Sequence, residues 1–69
     1  MERVVFIAVR RLRWGFLIQA VAGNMSVRVA TENLRRLAEF ALVSGEAREA
    51  REIMEDVSTM EAEWKPTGF

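Results

Sequence analysis

Cysteine and histidine are both absent from this sequence, and proline occurs only once, at Pro66. Without cysteine no disulfide can form, and without either residue the usual ligands of zinc and related metals are missing. A chain of 69 residues buries only about 60% of its unfolded surface, so it needs a further source of stability. Because 51% of the residues are nevertheless hydrophobic, we expect the excess apolar surface to be buried in a homodimer.

Long apolar runs are also lacking. The apolar segments 4–9 and 14–18 are separated by Arg10, Arg11 and Arg13, and neither approaches the ~20 residues that a membrane-spanning helix needs. A secretory signal peptide is disfavoured, because the basic cluster follows an apolar segment instead of preceding it. The lack of cysteine is compatible with a reducing compartment. We therefore expect a cytoplasmic protein without a membrane span.

The net charge is zero, but each half of the chain carries an excess of one sign. Residues 1–36 hold seven arginines against two glutamates, a balance of +5, and residues 37–69 carry the opposite balance of −5. A basic half can form a binding face for an anionic partner. Alternatively, the two halves neutralise each other across a domain or subunit contact, and the sequence leaves both possibilities open.

The first half of the chain is typical of β-structure. Residues 3–9 are rich in β-branched and aromatic side chains, which favours a strand over a helix. Gly23-Asn24 is a dipeptide that accepts the positive φ angles of two-residue hairpin turns. With that turn, strands 14–22 and 25–30 pair so that their apolar side chains collect on one face. The sequence thus predicts three antiparallel strands, with residues 10–13 as a basic connection.

Two helices are predicted after the strands, over about 32–44 and 46–64. Thr31 is suited to cap the first helix and Ser44-Gly45 to end it, and Pro66 would stop the second. Apolar residues of the second helix recur at intervals of three and four, which predicts a packing seam that also serves as the dimer interface. This seam comprises Ile53, Val57, Met60 and Trp64. The whole chain, 1–69, is expected to be one small α+β domain.

No pattern in the sequence predicts catalysis, a metal site or a cofactor. Glu49, Glu52 and Asp56 follow one stripe of the second predicted helix, but arginines alternate with them, as on a solvated helix face. The serines have no neighbouring base that could activate them as nucleophiles. The glycines are isolated and do not form a phosphate-binding loop. We therefore expect a protein that is not an enzyme and acts by binding.

The aromatic stretch around Trp14 and Phe16 admits three interpretations. With the preceding arginines it could form a surface that stacks on bases and contacts phosphates. It could also insert into a membrane interface. General burial trends favour the third interpretation, in which the aromatic strand packs into the core and its arginines are solvated.

Residues 25–60 resemble the ribbon–helix–helix domains of the Arc/MetJ kind, most nearly their antitoxin branch. The resemblance is carried by Met25-Ser-Val-Arg-Val-Ala-Thr-Glu-Asn-Leu34, Leu37 to Ala41, Ser44-Gly45 and Ala50-Arg-Glu-Ile-Met54. It implies a dimer in which one strand from each subunit forms a ribbon that enters the DNA major groove. The same resemblance would make Ser26 and Arg28 the base-reading residues and would place Arg48 against phosphate at the start of the second helix. Gln19, opposite Arg28 in the predicted hairpin, could read adenine or hold Arg28 in place.

Two functions are consistent with these patterns. The first is a dimeric ribbon–helix–helix-like regulator or antitoxin that binds DNA, supported by the 25–60 resemblance and the basic first half. The alternative is a small protein–protein interaction module, such as an inhibitor or adaptor, that binds another protein and no DNA. The apolar content and a free sheet edge support this second function.

Overall fold

The computed structural model of the chain describes residues 2–64, with side chains described for residues 4–63. It contains three helices, α1 (Glu2–Val21), α2 (Val27–Val43) and α3 (Ala47–Trp64). Within residues 2–64 no strand is present. The fold is therefore all-α, and the predicted α+β class is wrong. Pro66, which was predicted to stop the second helix, lies outside the described residues.

The predicted strands 3–9, 14–22 and 25–30 are all helical or part of a helix connection. No glycine, proline or asparagine occurs between residues 10 and 13, so nothing interrupts the backbone hydrogen bonding of α1 there. β-Branched residues lower helix propensity by only a fraction of a kcal/mol each, and packing easily overrides that preference. The packing comes from Val5, Val9, Phe16 and Ala20, which recur at helical spacing and contribute to the core.

The Gly23-Asn24 turn exists, but it connects two helices instead of two strands. Gly23 has φ +81°, and its N–H donates to the carbonyl of Ala20 at 3.2 Å. The N–H of Asn24 donates to the carbonyl of Gln19 at 3.0 Å. These two hydrogen bonds form a Schellman motif, which closes the end of α1. Positive φ at glycine serves a hairpin turn and a helix cap equally well, so the dipeptide alone did not distinguish them.

The start of α2 lies five residues earlier than the helix start predicted after Thr31. Ser26 is the N-cap, and its Oγ accepts a hydrogen bond from the N–H of Val29 at 3.2 Å. Thr31 is buried within the helix, where its hydroxyl donates to the carbonyl of Arg28. The predicted end of this helix agrees with the structure, because Gly45, at φ +87°, closes a second Schellman motif.

The core lies between α2 and α3, and α1 packs mainly on α2. Four side chains dominate it, since Val9, Leu34, Ile53 and Val57 are the largest that are fully buried. Most of the remaining core positions are alanines, which let the helix backbones approach closely. Among residues 4–21 of α1, whose side chains are described, only Val9 and Ala20 are buried, so this part of the chain contributes the least to the core. No described helix has the length and apolarity needed to cross a bilayer.

Candidate functional site

The side of α1 that faces away from α2 and α3 carries a continuous row of large side chains, which we call the outer stripe. Five of its six members are apolar and are between 49% and 75% exposed, and the sixth is the charged Arg11. The positions follow intervals of 3-4-3-4-3, so they lie along one line of the helix surface. The outer stripe consists of Val4, Ile7, Arg11, Trp14, Ile18 and Val21.

A shallow groove runs along the middle of the outer stripe. Its volume is about 610 Å³. Its lining is mainly apolar but includes two arginines, and it consists of Phe6, Ile7, Arg10, Arg11, Trp14, Gly15 and Ile18. Apart from the neighbouring residues and the backbone of its own helix, a Cβ atom added at Gly15 would meet no atom within 4 Å, so the backbone is open to an approaching partner there. Exposed apolar patches of this kind are typical of surfaces that bind another protein or a membrane.

Trp14 is held in place by the arginine that precedes it. The Cζ atom of Arg13 lies 5.4 Å from the centroid of the Trp14 ring, within the range of a cation–π contact. A similar contact of 5.4 Å joins Arg10 to the ring of Phe6. The orientation of these aromatic rings therefore depends on where the two arginines are anchored.

Both arginines are anchored to α3 by a group of carboxylates, and together these residues form what we call the Arg13 cluster. Arg13 Nε donates to Asp56 Oδ2 at 2.6 Å, and Arg13 Nη1 donates to Glu52 Oε1 at 3.2 Å. Arg10 Nη1 donates to Glu49 Oε2 at 3.3 Å. The two arginines are three residues apart on α1, and the three acids are three and four residues apart on α3. Each set therefore lies on one face of its helix, and the two faces meet.

Glu49 is the most enclosed member of the Arg13 cluster. Its side chain is 5% exposed, and its Oε1 accepts no hydrogen bond, although Arg13 Nη1 lies 3.6 Å away as an ion-pair partner. The pKa of Arg13 is raised above its ordinary value, mainly by the hydrogen bond to Asp56, and burial opposes this increase. Arg13 thus stays positively charged and compensates the buried carboxylate.

The prediction that Glu49, Glu52 and Asp56 form a solvated helix face is therefore only partly correct. Glu49 is buried, and Glu52 and Asp56 are partly buried against α1. Together with the ion pair between Arg35 and Glu61 at 2.8 Å, the Arg13 cluster joins the basic half of the chain to the acidic half. The opposite charges of the two halves are thus partly neutralised within the chain.

The residues predicted to bind nucleic acid do not share a strand. Gln19 lies in the last turn of α1, Ser26 caps α2, and Arg28 lies in the first turn of α2. Arg48 lies in the first turn of α3, which begins after the opposite end of α2. A 17-residue helix is about 25 Å long, so this length separates Arg48 from the other three. Ser26 Oγ is engaged as a helix cap, and Gln19, Arg28 and Arg48 are exposed.

The predicted dimer seam lies largely inside the chain. Ile53, Val57 and Met60 are 0%, 1% and 6% exposed and pack in the core against the other helices. The side chain of Trp64, the fourth seam residue, lies outside the described residues. A dimer formed by this chain would therefore need a surface other than Ile53, Val57 and Met60.

The outer stripe was not recognised from the sequence, although its signal is present there. The 3-4-3-4-3 spacing from Val4 to Val21 is visible in the printed sequence once residues 2–21 are taken as one helix. Dividing this segment into strands 3–9 and 14–22 concealed the spacing, because side chains of a strand alternate with a period of two.

The described residues contain no group of three histidine, cysteine, aspartate or glutamate side chains arranged to hold a metal ion. Comparisons with protein-family models, with curated proteins and with solved structures found no match to this chain.

Proposed function

We propose that this chain is a small helical protein–protein interaction module that binds through the outer stripe of α1. The observation that carries the proposal is the exposure of five large apolar side chains on the side of α1 that its own core does not use. Exposed singly, such residues are ordinary on protein surfaces, but five of them along one line of a helix, interrupted only by Arg11, are not. Covering this row with a partner would remove it from water and so stabilise the complex.

The shape of the outer stripe favours a helical partner. From Val4 to Val21 it runs for about 26 Å, and it is only one row of side chains wide. Intervals of three and four are the spacing at which the side chains of one helix fit between those of another. A second helix laid along α1 would cover the entire row, whereas an extended strand needs an open sheet edge to pair with.

DNA binding receives less support than protein binding. The ribbon–helix–helix resemblance implies a strand at residues 25–30, but residues 27–30 form the first turn of α2. In addition, three of the arginines in the basic half are paired with carboxylates of α3, which reduces the charge offered to phosphates. An enzyme is not proposed, and the cytoplasmic location stays a prediction.

The proposal can be tested by placing the photo-crosslinking residue benzoylphenylalanine at position 18 of the full chain. Ile18 is 62% exposed on the outer stripe, so irradiation in cells should join the chain to a protein. The crosslink should be lost when Ile7→Glu is added, because a charge would be buried against the partner. It should persist with Leu12→Glu, the matched control.

Ile7 and Leu12 are suited to this comparison because both are 49% exposed residues of α1, but only Ile7 belongs to the outer stripe. Equal crosslinking by the two variants would contradict the proposed function. Crosslinking to lipid alone would contradict it as well, and would favour membrane binding by the same surface.

A further inference from the structure

We infer that the partner of the outer stripe is a second copy of this chain, whose α1 lies antiparallel to the first. In this arrangement Arg11 of each copy contacts Trp14 of the other. The inference rests on the proposed function and adds the identity of the partner, its direction and its register. It is carried by a symmetry in the order of the stripe residues.

The outer stripe has nearly the same sequence of side-chain types when its order is reversed. When two copies of α1 lie antiparallel, the residue numbers of each facing pair add up to the same value, which defines the register. In the register where this value is 25, all six stripe positions of one helix face stripe positions of the other. Valine then meets valine, isoleucine meets isoleucine, and the single arginine meets the single tryptophan. The pairs between copies are Val4 with Val21, Ile7 with Ile18, and Arg11 with Trp14.

A parallel pair of the same helices would be much less favourable. Parallel helices in register place each residue opposite itself, so Arg11 would face Arg11 at the centre of the interface. Two like charges brought together away from water repel each other and lose their hydration. Shifting an antiparallel pair by one heptad leaves apolar stripe residues at one end uncovered. The register with a sum of 25 avoids both penalties.

Trp14 is prepared for the contact with Arg11 of the second copy. One face of its ring is approached by Arg13 of the same chain at 5.4 Å, and Arg13 is itself fixed by the carboxylates of α3. The ring is nevertheless 49% exposed, so part of its surface is open to a second cation. A tryptophan that is oriented before binding loses little side-chain entropy on binding, which is typical of residues that dominate interfaces.

Small residues beside the outer stripe would let the two helices approach closely. Ala8 and Gly15 lie about two helical turns apart on the same flank of the stripe, and both are exposed. Space for a partner is open at Gly15, where an added Cβ would contact nothing beyond the neighbouring residues and backbone of its own helix. A bulky residue there would therefore separate the helices of the pair without disturbing the core of either subunit.

The first test is the mass of the purified full chain in solution. Sedimentation equilibrium should give twice the 7.9 kDa of one chain. Ile7→Glu and Trp14→Ala should each weaken association by at least about tenfold, since they bury a charge or remove the central contact. Leu12→Glu should leave association unchanged, and circular dichroism of every variant should show the helical content of the parent.

The second test determines direction, using the fact that the chain has no cysteine of its own. Ile7→Cys and Ile18→Cys proteins, distinguished by a tag on one of them, are mixed and oxidised under mild conditions. The antiparallel register predicts a disulfide between position 7 of one copy and position 18 of the other. Disulfides joining position 7 to position 7, and position 18 to position 18, would overturn the antiparallel arrangement.

Failure of this inference can be distinguished from failure of the proposed function. If the purified chain is a monomer, but crosslinking from position 18 still joins it to a different protein and depends on Ile7, the second copy is excluded and the interaction module remains. If the monomer instead sediments with vesicles of phosphatidylserine and phosphatidylcholine and crosslinks to no protein, both are overturned.

Discussion

Arg13 and Asp56 are 43 positions apart in the sequence, and yet Arg13 Nε donates to Asp56 Oδ2 at 2.6 Å. This contact joins the middle of α1 to the middle of α3, two helices whose backbones approach each other closely at few positions. The guanidinium also balances Glu49, which is almost fully enclosed. The same side chain thus fixes the position of α1 and orients Trp14 on the outer stripe.

Arg13→Ala should lower the free energy of unfolding by about 2–3 kcal/mol, because it leaves the buried carboxylate of Glu49 with Arg10 as its one remaining cationic partner. This loss of unfolding free energy is smaller than that expected on breaking a wholly buried ion pair, because Glu52 and Asp56 retain contact with water. Urea unfolding followed by circular dichroism measures the change.

Arg35→Ala provides the control for this substitution. Arg35 and Glu61 form an ion pair at 2.8 Å in which both side chains are more than 40% exposed. We expect a loss below about 1 kcal/mol, as for other surface ion pairs. Equal losses for Arg13→Ala and Arg35→Ala would show that burial of the Arg13 cluster does not contribute to its strength.

The contribution of Arg13 should not change between neutral pH and about pH 10. The pKa of Arg13 is raised on folding, mainly by the hydrogen bond to Asp56. A raised pKa gives stability that is complete below the unfolded pKa and is lost only as pH rises through the folded value. For arginine both values lie above this window. The difference in unfolding free energy between the parent and Arg13→Gln, measured across the window, should therefore be constant, and a steady decline would contradict this assignment.

Gly15→Ala should stabilise the chain by about 0.5–1 kcal/mol, because glycine inside a helix is less favourable than alanine by this amount. Nothing in the same chain obstructs the added methyl group. Gly45→Ala should instead destabilise it, since Gly45 has φ +87°, where a side chain is strained. Thermal unfolding of both variants checks the signs, and a lower melting temperature for Gly15→Ala would contradict the helical assignment of residues 2–21.

Ser26→Ala should cost about 1 kcal/mol in unfolding free energy, because the N–H of Val29 loses the hydroxyl that caps α2. Ser58 is an exposed residue inside α3, and Ser58→Ala should be neutral or slightly stabilising, since alanine is the better helix former. Chemical unfolding of the two variants gives the comparison. An equal effect at both positions would show that Ser26 does not act as a cap.

The second half of the fold could be predicted from the sequence, and the first half could not. The 3-4 spacing of Ile53, Val57 and Met60 and the glycine at position 45 each favour one structure only. Residues 3–30 satisfy two patterns at once, because their apolar side chains alternate around Gly23-Asn24 and also follow a helical period. Local preference favoured strands, and the lack of any turn residue between Arg10 and Arg13 was the evidence against them.

Predicting the candidate site from the sequence likewise requires that residues 2–21 be assigned to one helix and not to two strands. Arg10 and Arg13 could be recognised as basic, but their partners on α3 become adjacent only when α1 is a helix that crosses it. The burial of Glu49 likewise follows from tertiary packing and has no local signature. The outer stripe was in principle available from spacing alone, since all six of its residues lie within one helix.

The two glycine-closed connections are short, so neighbouring helices in the sequence are also neighbours in space. Chains with such local contacts have low contact order and commonly fold within microseconds to milliseconds. Each subunit of the inferred dimer should therefore fold well before it meets another at micromolar concentration. Subunit exchange would then be governed by how long two copies of α1 stay together, and mixed dimers of tagged and untagged chains should form without denaturant.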